Sequence, residues 1–330
     1  MNILMNNCLE AIKHYDFGKK LSDNNPSIYL QSQLHGNETF STLVLYSLIN
    51  HLSSIDKSSF LGSVRVVPRA NPFSWNSYLY SRNGVFNPTT GVNWNRIFSW
   101  NLETDFPKKE TSISTLRQSV IKKISNETSI INSLKYYLLS LSIGYNYIID
   151  VHTPENGIPH LYCSKFTSNT PTFDIKYVIE YKDEHIDTFD DAHKRIIQYF
   201  YKLKNNTAIS IELDSNVPAT QTLVKKWTTA LMDELSKIGI VKNDHENKSI
   251  KQCNVTIGKI KDYQTQVSGI QNHFFSLGDV VTETSPLFSI LPFDLKSEII
   301  IKAESNCIPL CLRKDTIVYP GAWVVRALEI

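Results

Sequence analysis

Apolar and polar positions form blocks that predict strands and helices in alternation. Short apolar runs with the composition of buried strands lie at 28–30, 63–68, 145–153 and 208–214. Apolar residues at helical spacing lie at 40–52, 110–141, 188–204 and 218–238. Strands that alternate with helices are typical of an α/β domain with a mostly parallel or mixed sheet. We therefore expect an α/β domain over residues 1–245.

The pattern changes in two places. Between residues 69 and 107 the periodicity is lost, and the stretch is rich in Asn, Ser and aromatic residues such as Trp75 and Trp94. So many aromatic residues favour a structured loop that wraps a pocket over a disordered segment. After the polar stretch Asn243–Ser249, short strand patterns separated by turns predict a small all-β region over residues 246–330.

Charge and composition exclude some classes of function. The 330 residues carry a formal net charge of +2, so no overall field favours nucleic acid or a membrane surface. The first 20 residues lack a long apolar core, which argues against a signal peptide or membrane span and makes the cytoplasm the expected location. The cysteines are odd in number and scattered, which argues against a disulfide framework.

The first candidate for chemistry is His35-Gly36-Asn37-Glu38, which lies between a predicted strand and a predicted helix. Open α/β sheets bind their ligands at the carboxyl ends of strands. A His and a Glu held on such a turn can both ligate one zinc ion. For an isolated instance the better interpretation is a polar capping turn, with Asn37 as the helix cap and Glu38 in the first helical turn.

Two further strand ends change that balance. Residues 145–153 form a buried strand pattern that ends at His152, and residues 208–214 form another that carries Glu212. The predicted strand ends therefore offer two histidines and two glutamates. This is a donor set that can hold zinc and leave one carboxylate for proton transfer.

Taken together, the motifs at 35–38, 95–96, 150–152 and 212 follow the order seen in the zinc carboxypeptidase superfamily. The sequence most resembles the succinylglutamate desuccinylase/aspartoacylase family, from about residue 26 onwards. The resemblance implies a zinc-carboxypeptidase-like mixed sheet flanked by helices, followed by a small C-terminal all-β module. It also implies one Zn²⁺ per chain, with His35, Glu38 and His152 as ligands.

The resemblance further implies roles for residues outside the metal ligands. Glu212 would take a proton from the attacking water, and Arg82 would stabilise the oxyanion. Asn95 and Arg96 would dock a substrate carboxylate, to which a guanidinium can bind at two points. Asn93 stands where the family usually has Asp, which removes one charge near the proposed site.

The leading hypothesis is a zinc-dependent hydrolase that cleaves an amide bond in an N-acyl amino acid or a related small carboxylate. One alternative is a metallocarboxypeptidase that acts on peptides, and another is a non-catalytic binding protein that retains the fold. The expected partner is a small-molecule substrate with a carboxylate. No nucleic acid or membrane partner is expected, and the sequence leaves a homo-oligomer open.

Overall fold

The computed structural model describes residues 9, 11–22, 24–76, 84–100, 112–164, 173, 175–181, 187–198, 206–215, 218–242 and 256–330. The strands are β1 Tyr15–Gly18, β2 Ser27–Ser32, β3 Ser63–Val67, β4 Tyr147–His152, β5 His160–Ser164, β6 Tyr177–Tyr181, β7 Thr207–Glu212, β8 Thr256–Gln264, β9 Gly269–His273, β10 Pro286–Pro292, β11 Ile299–Lys302, β12 Cys307–Leu312, β13 Ile317–Val318 and β14 Trp323–Glu329. The α-helices are α1 Thr39–Ser54, α2 Pro72–Asn76, α3 Ile113–Asn126, α4 Ile130–Ser142, α5 Phe189–Ile196 and α6 Gln221–Lys237. Short 3₁₀ turns lie at Lys57–Ser59 and Trp94–Arg96.

A 10-stranded mixed sheet in the order β1-β3-β2-β4-β7-β5-β6-β8-β14-β12 runs through the molecule. Its centre is parallel, because β2 pairs in parallel with β3 and β4, and β4 with β7. The carboxyl ends of β2, β4 and β7 therefore meet at one edge of the sheet. Residues that follow these strands are brought together there, as open α/β sheets require of a binding site.

Helices cover both faces of this central part, so the domain has three layers. Side chains of α1 and α6, such as Leu45 and Trp227, are buried on one face. Side chains of α3, α4 and α5, such as Leu138 and Phe189, are buried on the other. Strands enclosed in this way are apolar along most of their length, which explains why their sequences form nearly continuous hydrophobic runs.

The C-terminal region consists of strands, as the sequence predicts. β8 pairs in parallel with β6 and continues the large sheet through β14 and β12. A separate 4-stranded sheet has the order β11-β10-β9-β13. The boundary at residue 245 stays a prediction, because the proposed linker 243–249 lies outside the described residues.

The fold class predicted from the sequence is confirmed, with corrections to individual elements. The helical pattern at 110–141 forms two helices that are separated at Asn126-Glu127-Thr128, the interruption that the sequence suggests, because Glu127 ends α3 and the Ser129 side chain caps α4. Helix α1 begins at Thr39, so Glu38 occupies the N-cap position where Asn37 was expected, and its side chain makes no capping hydrogen bond. Among the described residues, no helix has the length and hydropathy needed to cross a membrane.

Candidate metal centre

A strained residue leads the chain from β2 into the turn that carries His35. Gln33 has a φ of 54°, in the left-handed region that is uncommon for residues other than glycine. Two hydrogen bonds hold it there: Gln33 Nε2 donates to the Gly36 carbonyl at 3.2 Å, and Thr42 Oγ1 donates to Gln33 Oε1 at 3.1 Å. Residues in such conformations persist only where their surroundings fix them, and here they shape the turn that bears His35 and Glu38.

The turn packs closely against the segment that follows β3. The Gly36 N–H donates to Ser74 Oγ at 2.5 Å and to the Gly84 carbonyl at 2.8 Å. A side chain at Gly36 would overlap the Ser74 backbone, so this position needs glycine for space. The contacts of Gly36 with Ser74 and Gly84 thus hold the turn that bears His35 and Glu38 in place.

Glu38 joins the two histidines. Its Oε1 lies 2.6 Å from His35 Nδ1, and its Oε2 lies 2.8 Å from His152 Nδ1. One potential ligand atom from each of these residues lies within 4.8 Å of the other two. Two imidazole nitrogens and a carboxylate oxygen at this spacing fit a zinc ion with a position left for water.

The far side of each imidazole has its own hydrogen-bond acceptor. His152 Nε2 lies 2.8 Å from Asp150 Oδ2, so the contact expected from strand alternation is present. His35 Nε2 lies 3.1 Å from Asn93 Oδ1, an oxygen that also accepts the Asn95 N–H at 2.8 Å. Burial lowers the pKa of His152, but the carboxylates of Asp150 and Glu38 outweigh burial and raise it well above its ordinary value. A metal ion bound at Nδ1, the atom that faces Glu38, would displace the proton there and leave an Nε2–H facing its acceptor.

The electrostatics of Glu38 follow from these contacts. Burial raises the pKa of its carboxyl, but the charges and hydrogen bonds of His152 and His35 outweigh burial and lower the pKa to about 2. Glu38 is therefore ionised across the physiological range, as a metal ligand has to be.

Glu212 ends β7 directly opposite His152 on β4. Burial of its carboxyl raises the pKa to about 7, with Glu38 adding to the rise and His152 opposing it. Its Oε2 is buried and has no hydrogen-bond partner among the described residues. A carboxylate in this state can accept a proton and release it again near neutral pH.

Asn95 and Arg96 lie on the 3₁₀ turn Trp94–Arg96, which the Asn93 side chain caps. Asn95 Oδ1 accepts the Phe189 N–H at 3.0 Å, and its Nδ2 lies 3.3 Å from His152 Nε2. Arg96 donates from Nη1 to the Asn95 carbonyl and lines the same cavity as the histidines. Arg82 lies outside the described residues, so its proposed role stays a prediction.

A cavity of about 1010 Å³ contains these groups. Its lining includes His35, Glu38, His152 and Glu212. Residues of the C-terminal strands also line it, among them Cys311, Trp323 and Arg326. Within the aromatic segment before residue 101, Phe86 lines the cavity, whereas Trp94, Phe98 and Trp100 belong to the core beneath it. The expected apolar pocket wall is thus only partly supplied by that segment.

Sequence reasoning missed the contribution of Arg326. It donates from Nε and Nη2 to Asp262 at 2.7 and 2.8 Å, and from Nη1 to the Tyr162 hydroxyl at 3.4 Å. A signal for it was present, because Arg326 is the charged residue within the apolar run Trp323–Leu328. Lone charges in such runs are rarely buried without a partner.

Comparisons with known proteins bear on the fold. No family model matches the sequence. None of the curated proteins matches it either. Solved structures do match it across 96% of the chain. Two are proteins assigned to the succinylglutamate desuccinylase/aspartoacylase family, from Shewanella amazonensis SB2B (20% identity, TM-score 0.76, 93% of that chain) and Shewanella frigidimarina NCIMB 400 (20% identity, TM-score 0.77, 92% of that chain).

The chain has the fold of this family. A third similar structure is the product-bound ectoine utilization protein EutE (DoeB) from Ruegeria pomeroyi, at 14% identity, with a TM-score of 0.68 over 96% of this chain and 88% of that chain. The resemblance stated from the sequence motifs is thus matched by the three-dimensional structure. Because identities this low speak for the fold alone, the function has to be argued from the site.

Proposed function

We propose that this protein is a zinc-dependent hydrolase that cleaves the amide bond of an N-acyl amino acid or a related small carboxylate. His35, Glu38 and His152 hold one zinc ion, and Glu212 is the general base. The observation that carries the proposal is the placement of Glu212, a buried carboxyl with a pKa of about 7, beside a ligand set that fits zinc.

A bound zinc ion supplies a Lewis acid for the substrate carbonyl and lowers the pKa of an attacking water. Glu212 accepts a proton from that water at its carboxyl oxygen and donates it to the leaving amine nitrogen. Its raised pKa suits both steps, because the ideal pKa of a group that shuttles a proton lies near the working pH. Asp150 and Asn93 keep the two imidazoles in orientation throughout.

The proposal assigns the substrate carboxylate to Arg96. Its guanidinium donates to the Asn95 carbonyl and has no ion-pair partner within the described residues, so it can bind an anion in the cavity. Arg326 lies close enough to lower the pKa of Arg96, after the larger effect of burial. Arg326 is already paired with Asp262, so Arg96 is the guanidinium that we assign to a substrate carboxylate. The Asn95 side chain, already bonded to Phe189 and close to His152, supports the turn that carries Arg96.

The shape of the cavity favours small substrates over peptides. Residues of the C-terminal strands and their turns, from Cys311 to Thr316 together with Trp323 and Arg326, line the same cavity as the metal centre. Such added walls would limit how far a polypeptide can extend past the scissile bond. This supports deacylation over the carboxypeptidase alternative, although both would use the same ligands and base.

The test starts with metal content. Elemental analysis of purified protein should find about one zinc per chain in wild type and a loss of zinc in His35→Ala. The wild-type protein is then assayed against a panel of N-acyl amino acids and a panel of peptides with free carboxyl termini.

Hydrolysis of N-acyl amino acids with little action on peptides would support the proposal, and the reverse would favour a carboxypeptidase. Wild-type protein that acquires no zinc would overturn the hydrolase mechanism and leave a binding protein with this fold.

A further inference from the structure

A hydrogen-bonded series of buried polar side chains leads to His152 through the largely apolar centre of the sheet. The Tyr29 hydroxyl donates to Gln31 Oε1 at 2.9 Å, and Gln31 Nε2 donates to Asp150 Oδ1 at 3.0 Å. Asp150 Oδ2 then lies 2.8 Å from His152 Nε2. Tyr29, Gln31 and Asp150 are each 0% exposed. These hydrogen bonds therefore connect Tyr29 in the core of the protein with His152, a proposed metal ligand.

Strand register brings these side chains together. Gln31 of β2 lies directly opposite Asp150 of β4. Tyr29 is two residues before Gln31, so both side chains point to the same face of β2. The β3 residue paired with Gln31 on its other side is Val67, which is also fully buried. An apolar side chain at position 31 would thus suit the surroundings, and packing alone does not explain a glutamine there.

Tyr29, the first residue of this series, sets the direction of the hydrogen bonds between Tyr29, Gln31 and Asp150. Burial, helped by the nearby Asp150 charge, raises the pKa of Tyr29, so its hydroxyl keeps its proton and can donate. This donation sets the Gln31 amide with Oε1 towards Tyr29 and Nε2 towards Asp150. Asp150 Oδ1 accepts this bond, and Oδ2, at 2.8 Å from His152 Nε2, is placed to accept an N–H from it. The Nδ1 atom of His152 consequently faces Glu38.

The other histidine has a different support. His35 Nε2 lies against the neutral side chain of Asn93, which is itself fixed by a backbone N–H of the turn Trp94–Arg96. The buried relay is thus specific to the His152 side of the centre. It has the form expected of groups that orient a metal ligand and set its tautomer.

We propose that Gln31 and Tyr29 are positioning residues, which lock Asp150 and thereby hold His152 with Nδ1 aimed at the proposed metal ion. The inference rests on the proposed function, because it takes His152 as a ligand. It extends that function by assigning a role in metal affinity to two residues in the core of β2 that touch neither metal nor substrate.

The experiment measures the zinc affinity of the full chain by competition with a chromophoric chelator. Gln31→Met keeps the length and volume of the side chain but cannot bond to Asp150, and its affinity should fall about tenfold, at the lower end of the range for such supporting groups. Tyr29→Phe keeps the ring and removes only the hydroxyl, so a smaller loss of about threefold is expected, since one further bond separates it from the ligand.

Gln271→Met is the matched control. Gln271 is another buried glutamine, and its Nε2 donates to backbone carbonyls of Arg313 and Asp315, with no bond to His35, His152 or Asp150. Its replacement should lower stability by a similar amount and leave zinc affinity unchanged. Thermal unfolding of all variants shows whether each is folded at the temperature of the titration.

A second readout separates positioning from a general structural role. Nitrogen-15 NMR of the zinc-loaded protein should find His152 ligating through Nδ1 and protonated at Nε2 in wild type, and a fraction of molecules without this arrangement in Gln31→Met. A residue that serves only packing would lower the melting temperature without changing this signal.

Zinc binding by the wild-type protein distinguishes a failure of the inference from a failure of the proposed function. Wild-type zinc binding with unchanged affinity and tautomer in a folded Gln31→Met would overturn the inference alone. If Gln31→Met does not fold, the same result in Tyr29→Phe overturns it. Wild-type protein that binds no zinc overturns the proposed function, and the inference with it.

Discussion

The two sides of the candidate metal centre are built in different ways. The strand-held half consists of His152, Asp150 and Gln31, all on central strands of the sheet and all nearly or fully buried. The turn-held half consists of His35 and Asn93, which lie in connecting segments and are partly exposed. In the strand-held half the Nε2 atom of His152 faces a carboxylate, that of Asp150, whereas in the turn-held half the Nε2 atom of His35 faces a neutral amide, that of Asn93.

This difference indicates that the two halves contribute differently to metal binding. A ligand on a central strand cannot move without disturbing the sheet register, and a carboxylate behind it raises its basicity. A ligand on a turn lies outside the hydrogen-bond ladder of the sheet, so a small shift of His35 leaves the strand register intact. We therefore expect affinity for the metal to depend more on the strand-held half. Four experiments, ordered by the size of the expected effect, can break or sharpen this comparison.

The largest effect, on the rate of hydrolysis, is expected from Glu212→Gln, because Glu212 lies opposite His152 of the strand-held half. Removal of the proton acceptor should lower the rate of hydrolysis by about 10²–10⁴-fold. Zinc content should stay at the wild-type level, because the ligands are untouched. Glu180→Gln, which changes another acid lining the cavity, is the matched control. Comparable rates for wild type and Glu212→Gln would remove Glu212 from the mechanism.

The pH dependence of stability tests the environment of the same carboxyl. Burial raises the pKa of Glu212 from 4.5 to about 7, so between these values the folded chain binds more protons than the unfolded chain. The free energy of unfolding should therefore fall as pH rises through this window. In chelator-treated protein, Glu212→Gln should remove the contribution of Glu212 to this decline and be more stable than wild type at pH 8 by about 1–3 kcal/mol. Urea unfolding at pH 5 and pH 8 provides the measurement, and parallel changes in both proteins would contradict it.

Asp150→Asn makes the strand-held half resemble the turn-held half. Zinc affinity should fall by about 10–100-fold, because His152 loses its anionic partner while the shape of the site is kept. Competition titration against a chelator measures the change. An affinity within a factor of two of wild type would mean that the charge behind His152 is unimportant.

Asn93→Asp makes the reverse exchange and restores the residue that the family usually carries. A carboxylate at this position should make His35 a more basic ligand and tighten zinc binding by about tenfold or less. The effect is the smallest of the four because this side of the centre is more exposed to solvent, which screens the added charge. Weaker binding in Asn93→Asp would show that the amide is required, for example to keep the cap of the turn Trp94–Arg96.

Much of this architecture can be predicted from sequence, since it depends on local patterns. The strands that end at His152 and Glu212 are continuous apolar runs, and such runs are typical of the centre of a parallel sheet. Parallel strands then bring their carboxyl ends to one edge, which places His35, Glu38, His152 and Glu212 near one another without knowledge of any long-range contact. The structure brings these four residues together as this reasoning predicts.

Other features depend on contacts between distant segments and could not be predicted. The contact between Asn93 and His35 joins an irregular segment to a turn 58 positions away, and no periodicity encodes it. The pairing of β8 with β6 decides that the C-terminal strands extend the main sheet, although their own pattern indicates only short strands. Gln31 looks like an interruption in an apolar strand until register places Asp150 opposite it.

The position of β14 has a consequence for how the protein is made. This strand lies between β8 and β12 in the interior of the sheet, and its residue Arg326 lines the cavity that contains the metal centre. All the proposed metal ligands precede β14 in the chain, and β14 is the last of the described strands to leave the ribosome. The lining that β14 contributes is therefore synthesised after every proposed metal ligand.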